Sequence, residues 1–222
     1  MFDLTGADRA GSRAARVGED PAGPDDTTPS DDRRPAVAAG AAETDAVTPG
    51  LSDGTVELTV LAGDGDAAAL VAGEDDEIAR WLSGAPATLE TAARHIDRCA
   101  LDWLGDWFRP GTALTWGIRD AASGALAGTA EVQLSTADVE VGTANLAYGV
   151  FPPWRGRRYG ARAVDLMCGW LATTTATQLA VVRVEPGNAP SIRVAEQAGF
   201  ARAGRSRGVA GAPMVRYVRA LR

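Results

Sequence analysis

Leu146-Ala147-Tyr148-Gly149-Val150-Phe151-Pro152-Pro153-Trp154-Arg155-Gly156-Arg157-Arg158-Tyr159-Gly160-Ala161 is the stretch whose reading decides the fold. An apolar run up to Phe151 has strand character. It feeds a basic turn with two glycines, and the turn opens a helix that runs to about Thr174. At such a helix start, backbone N–H groups without intrahelical partners gather at the positive end of the dipole, which suits a pyrophosphate. Five arginines between Arg155 and Arg183 add to that field. A strand follows at Leu179 to Glu185, and then a shorter helix with Asn188 at its N-cap.

Working outward, the preceding residues read as a strand at Thr55 to Leu61 and helical sequence from Ala67 to Leu82, in one piece or two short ones. A helix capped by Thr88 runs to about Phe108, and strands at Leu114–Arg119 and Leu126–Leu134 are joined by an Ala-Ala-Ser-Gly turn. Two strands, Phe200–Gly208 and Pro213–Leu221, close the chain. This order makes an α/β fold: a mixed, mostly antiparallel central sheet flanked by helices. Residues 1–54 are rich in Ala, Gly, Asp and Pro, with one aromatic residue, and read as a disordered tail ahead of a folded domain at 55–222.

Charge is unevenly spread. The net charge is −7, but residues 56–154 hold 15 acidic against 5 basic side chains, and residues 155–222 hold 3 against 12. One half can attract a cationic ligand and the other an anionic one. No aromatic RNA motif accompanies the arginines, which argues against nucleic-acid binding. No apolar run is long enough for a membrane span. Two isolated cysteines and one histidine give no metal motif. A cytoplasmic location is the default, and a homodimer is left open.

The element order and the motifs of the second half resemble the GNAT superfamily of acyl-CoA-dependent N-acyltransferases, over about residues 55–222. The family's phosphate signature, Gln/Arg-x-x-Gly-x-Gly/Ala, is met by Arg155 and Gly160, with Arg158 where the family has its central glycine. Asn188, Ser191, Gly199 and Phe200 fit the downstream pattern. Glu77 to Leu82 and the strand of Tyr148 leading into Pro153-Trp154-Arg155-Gly156 are most similar to the ribosomal-protein N-terminal acetyltransferase branch.

The resemblance implies acetyl transfer from acetyl-CoA, with no metal, to an amine acceptor: a protein N-terminus or a small molecule. It implies coenzyme A held by Tyr148, Val150 and Phe151 on the strand, by Arg155, Gly156, Arg157, Arg158, Tyr159, Gly160 and Ala161 on the loop, and by Asn188 and Ser191. For the chemistry, Glu131 is the candidate general base and Ser191 the candidate proton donor to the thiol, because the family's tyrosine position is Ala195. Glycine at 158 would accept φ > 0 without cost; arginine there keeps the N–H and adds a charge, at the cost of strain if φ is positive. That departure and the missing tyrosine leave a rival reading open, a catalytically silent acyl-CoA-binding regulatory module. His95 and the tryptophans at 81, 103, 107 and 116 are weaker candidates for lining an acceptor pocket, and Cys168 reads as a core residue.

Overall fold

A computed structural model describes residues 50–135, 141–208 and 211–221, with Ser83 described by its backbone alone. Eight strands form one sheet in the order β1-β2-β3-β4-β5-β6-β8-β7. They are β1 (Leu51–Ser52), β2 (Val56–Val60), β3 (Leu114–Asp120), β4 (Leu126–Gln133), β5 (Thr143–Val150), β6 (Leu179–Val184), β7 (Ala201–Arg207) and β8 (Pro213–Ala220). Every neighbouring pair is antiparallel except β5 and β6. The mixed sheet expected from the sequence is the sheet observed.

The sheet begins earlier than expected. Leu51 and Ser52 pair with Leu58 and Glu57, and the Asp53 carboxylate accepts from the N–H groups of Thr55 and Val56 to close the turn. Arg162 reaches the same carboxylate at 2.6 Å. The boundary read at 54/55 therefore falls inside a hairpin, and residues 50–54 belong with the fold. Residues 1–49, read as a disordered tail, lie outside the described residues.

Two helical layers flank the sheet. Helix α4 (Tyr159–Thr174) and helix α5 (Ala189–Gln197) pack with the strands into the larger core. Trp116 of β3 and Trp170 of α4 meet edge-on at 5.2 Å, and Trp103 joins them with its centroid 4.6 Å from Trp116. Helix α1 (Gly63–Gly73) and helix α3 (Leu89–Leu104) enclose a smaller cluster with Leu61, Leu126 and Phe151. Thr88 and Thr91 cap α3 reciprocally, each side chain accepting from the other's N–H. Its buried residues, Ala92, Ile96, Cys99 and Trp103, recur at helical spacing on one stripe.

The helical sequence expected from Ala67 to Leu82 breaks in the middle. A β-carbon on Gly73 would lie 2.3 Å from the Phe151 ring, so the ring packs where only glycine fits. Asp75 then caps a new turn, α2 (Asp76–Ile78), by accepting from Ile78 N–H. That turn passes into a π-helical turn over Ala79–Ser83, closed by Gly84 in the left-handed region. Likewise α3 stops at Leu104, four residues before its expected end, where Gly105 is extended and Asp106 accepts from Phe108 N–H. No helix among the described residues is long and apolar enough to cross a membrane.

Candidate active site

The strands that pair in parallel soon part. The β5–β6 ladder runs from Thr143↔Leu179 to Leu146↔Val182 and then stops, so residues 147–150 face β6 across a widening gap. A strand edge without its neighbour presents N–H and C=O groups to whatever enters. The gap is bridged at one side chain. The Tyr148 hydroxyl donates to the Ser191 carbonyl at 3.0 Å and lies 3.1 Å from the Ser191 hydroxyl. Burial pushes the Tyr148 phenol up to about 12, so it holds its proton at neutral pH. Asn188 caps α5 by accepting from Ser191 N–H, which fixes the serine at the mouth of the gap.

The turn between β5 and α4 follows at once. Gly156 has φ 76° and Arg158, at the N-cap of α4, has φ 62° and ψ 16°. Arg158 is the one described non-glycine residue with positive φ. It takes the conformation that a glycine would take, and keeps its strain. Its side chain is exposed. Arg157 is exposed too and lies over the Trp154 ring at 5.2 Å. Arg155 does something else. Its guanidinium donates twice to Asp75, at 2.6 and 2.9 Å, reaches Glu77 at 3.0 Å, and donates through Nε to the Val150 carbonyl. The hydrogen bonds from Arg155 hold the Asp75 carboxyl below the usual range. Arg155 therefore ties the loop to α2.

Three more of the loop positions serve packing with their side chains. Tyr159 is buried and donates to Asp120 at 2.5 Å, anchoring the helix start to the β3–β4 hairpin. Gly160 admits Val194 and Val150, whose methyl groups would lie 3.3 to 3.5 Å from a β-carbon there. Ala161 is buried in the core. What these positions offer a phosphate is backbone N–H.

On the other face of the sheet, Glu131 is 4% exposed. It is opposite Thr115 on β3 and Ala147 on β5. Gln133 donates to it at 2.6 Å, Asn145 donates to Gln133 at 3.1 Å, and Arg183 donates through Nε to Asn145 at 3.1 Å. A row of polar side chains thus crosses three strands. Burial raises the Glu131 carboxyl above its ordinary value, and the nearby Asp102 pushes the same way. A carboxyl shifted upward is a better proton acceptor near neutral pH.

Beside Glu131, an apolar cavity of about 80 Å³ lies between α1, α3 and the sheet. Leu70, Ile78, Leu82 and Phe151 line it, with Thr129 and its cross-strand partner Gly149 also at its wall. A β-carbon on Gly149 would lie 2.4 Å from a terminal methyl of Leu82, so that side chain packs over the glycine. His95 lines the cavity as well; its burial lowers its pKa, and it faces Cys99 at 3.5 Å. Cys99 is pushed up to about 12 by burial, so that thiol is no nucleophile at neutral pH. Cys168 is likewise buried and raised to about 11. Trp103 and Trp116 are core residues, and Trp81 carries the Arg80 guanidinium 4.3 Å from its ring centroid.

The Tyr148–Ser191 contact and the row behind Glu131 are not visible as motifs. The available signal is alternation: Thr129, Glu131 and Gln133 share one face of a strand whose other face is apolar.

The sequence model of the family described as acetyltransferase (GNAT) domain matches residues 57–201. The chain belongs to the GNAT acetyltransferases. Among curated proteins none matches it by sequence. Solved structures match its fold. A GCN5-related N-acetyltransferase from Brucella melitensis is 19% identical, with a TM-score of 0.62, over 78% of this chain and 79% of that one. The ribosomal-protein-S5-alanine acetyltransferase from Vibrio fischeri is 14% identical, TM-score 0.61, over 78% and 96%. An aminoglycoside acetyltransferase solved with coenzyme A is 19% identical, TM-score 0.61, over 75% and 95%.

Proposed function

We propose that this GNAT chain transfers acetyl from acetyl-CoA directly to a primary amine, without a covalent enzyme intermediate. The observation that carries the reading is the parting of β5 and β6 after Leu146, with a buried carboxylate on one face and a hydroxyl pair at the other. The residues present fit coenzyme A. The edge of β5 that β6 leaves unpaired beyond Leu146 suits the amides of its pantetheine arm, with the Val150 carbonyl already taken by Arg155. The N–H groups from Gly156 to Ala161 suit its pyrophosphate, with the exposed Arg157 and Arg158 adding charge. The neighbour solved with coenzyme A supports that fit.

The bound thioester supplies an activated acyl group; the protein supplies proton transfers and position. Glu131 takes the proton of the incoming ammonium, directly or through one water, and its raised pKa suits the task. The amine nitrogen then forms the new bond to the carbonyl carbon as the carbon–sulfur bond breaks. The Ser191 hydroxyl, oriented by Tyr148 and by its place at the start of α5, gives its proton to the sulfur and is reprotonated, through water, by the second proton that the nitrogen loses as the amide forms. Asn188 sets this geometry through the cap. We take the acetyltransferase domain to run from Leu51 to the end, which loss of coenzyme A binding on removing residues 1–49 would contradict.

The strained Arg158 favours one rival, a silent acyl-CoA-binding module. Calorimetry with coenzyme A, followed by thiol release from acetyl-CoA against a panel of peptides and small amines, separates the two. Binding with thiol release is expected. Binding without release on any amine selects the silent module, and no binding removes both.

A further inference from the structure

The π-helical turn Ala79–Ser83 lies across the open end of the gap between β5 and β6, and two contacts place it there. Leu82 packs over Gly149 on the β5 bank, 2.4 Å from where a β-carbon would be. Its neighbour Trp81 reaches the other bank. The edge of that ring lies 3.9 Å from where a β-carbon on Gly187 would be, in the loop that leads from β6 to α5. Leu146↔Val182 is the last pair that the two strands share, so both contacts fall beyond it, where the gap is open. Gly149 and Tyr148 are adjacent on a strand and face opposite sides of the sheet. Leu82 therefore covers the gap on one side, and the contact of Tyr148 with Ser191 closes it on the other. Between them runs a passage walled on both faces and bordered by a strand edge.

The turn is fastened in that place. Arg155 meets Asp75 at 2.6 Å and Glu77 at 3.0 Å just ahead of it, and donates to the Val150 carbonyl at the end of β5. At its far end the Gly84 N–H donates to the Ala79 carbonyl at 2.7 Å, which closes the π-helical ring. Single π-helical turns concentrate at functional sites. Trp81 is only partly buried and packs with neither of the two apolar clusters among the described residues. Arg80 braces its ring from 4.3 Å. A large aromatic side chain held at a passage, outside the core, is a surface for an apolar ligand segment. We propose that Trp81 and Leu82 contact the cofactor itself, packing on the methylenes of the pantetheine arm where it passes between β5 and β6. This rests on the proposed use of acetyl-CoA. The arm's amides pair with the strand edge, and its apolar atoms leave water against these two side chains. The phosphates of the cofactor, on the loop from Gly156 to Ala161, have no such need.

The test uses the full chain and two ligands. One is coenzyme A; the other is adenosine 3′,5′-bisphosphate, which carries phosphates but no pantetheine arm. Calorimetry should show Trp81→Ala weakening coenzyme A on the order of tenfold and Leu82→Ala several-fold, with the bisphosphate changed by less than about twofold in both. Coenzyme A should also change the tryptophan emission of the wild type by an amount that Trp81→Phe lacks, whereas the bisphosphate should change both proteins alike. Should Trp81→Ala melt early, or the bisphosphate bind too weakly to titrate, the emission of wild type and Trp81→Phe with coenzyme A decides. Equal losses for the two ligands overturn the proposal, as does unweakened coenzyme A binding or an emission change that Trp81→Phe keeps in full. Those outcomes leave the proposed reaction standing. If coenzyme A does not bind the wild type, the proposed reaction fails and this inference falls with it.

Discussion

The loop from Arg155 to Ala161 and the polar row from Glu131 to Arg183 organise charge in opposite ways. In the loop, conformation does the work: Gly156 and Arg158 sit at positive φ, the Arg157 and Arg158 side chains are exposed while Arg155 is clamped to Asp75, and the turn leaves its backbone at a helix start. In the row, side chains do it: a 4% exposed carboxylate is held by Gln133 of its own strand, and through it by Asn145 of β5 and Arg183 of β6. The first arrangement tolerates substitution wherever the N–H groups stay in place. In the second, each member satisfies the next, and a single loss leaves buried polar atoms unpaired. The loop should therefore govern affinity for coenzyme A, and the row should govern turnover.

The largest expected effect tests that division. Glu131→Gln keeps the size and a hydrogen-bond acceptor for Gln133 but removes the base. Steady-state kinetics should show kcat lower by roughly 10²–10⁴-fold, while calorimetry shows coenzyme A bound as in the wild type. Full turnover across pH 6 to 9 would mean that the ammonium loses its proton elsewhere.

The same variant should move stability the other way. Burial raises the Glu131 pKa above 4.5 in the folded chain. Between 4.5 and the raised value the folded state holds more protons than the unfolded one, so stability falls as pH rises through that window. Above it, the wild type carries the whole cost of an ionised buried carboxylate, and the glutamine variant carries none. Thermal melts should show Glu131→Gln more stable than wild type at about pH 7.5, with the difference shrinking toward pH 4.5. A difference that grows on acidification would refute a buried ionised Glu131.

Legibility follows the same division. The strand, basic turn and helix around Arg155 are continuous in sequence, so the fold and the basic loop can be read from residue order and glycine placement. Glu131 can be picked out as a carboxylate in a strand, but its partners cannot. Gln133 is two residues away, Asn145 is brought beside it by the β4–β5 register, and Arg183 by a parallel crossover through α4. The role of Arg155 escapes the sequence for a related reason. Its partner Asp75 is 80 residues earlier, in a turn just past Gly73, where the Phe151 ring packs against the end of α1. Interactions set by tertiary register leave no local signature.

Asp75 allows a smaller test on the loop side. It caps α2 through Ile78 N–H and clamps Arg155. Asp75→Ala should cost about 1–2 kcal/mol in denaturant unfolding, mostly from the lost cap, because the half-exposed ion pair adds little. If Arg155 positions the loop through this clamp, coenzyme A should bind several-fold more weakly with kcat unchanged. A fall in kcat at unchanged affinity would contradict the assignment of the loop to binding and the row to turnover.

The smallest expected effect concerns Arg158, where conformation and charge oppose each other. Glycine at φ 62° has no β-carbon to strain, and relief of a left-handed arginine is worth about 1 kcal/mol. Part of that is returned to the unfolded chain as backbone freedom, so Arg158→Gly should gain less than about 1 kcal/mol. Asn, which tolerates this conformation better than arginine, should show a similar gain with less of the entropic offset. Affinity decides what the arginine does. If its side chain meets a phosphate, the wild type should lose affinity for coenzyme A more steeply with added salt than Arg158→Gly does. Equal salt slopes, together with a more stable glycine variant, would mean that the loop grips phosphate by backbone alone and that Arg158 is retained at a cost in stability without a return in binding.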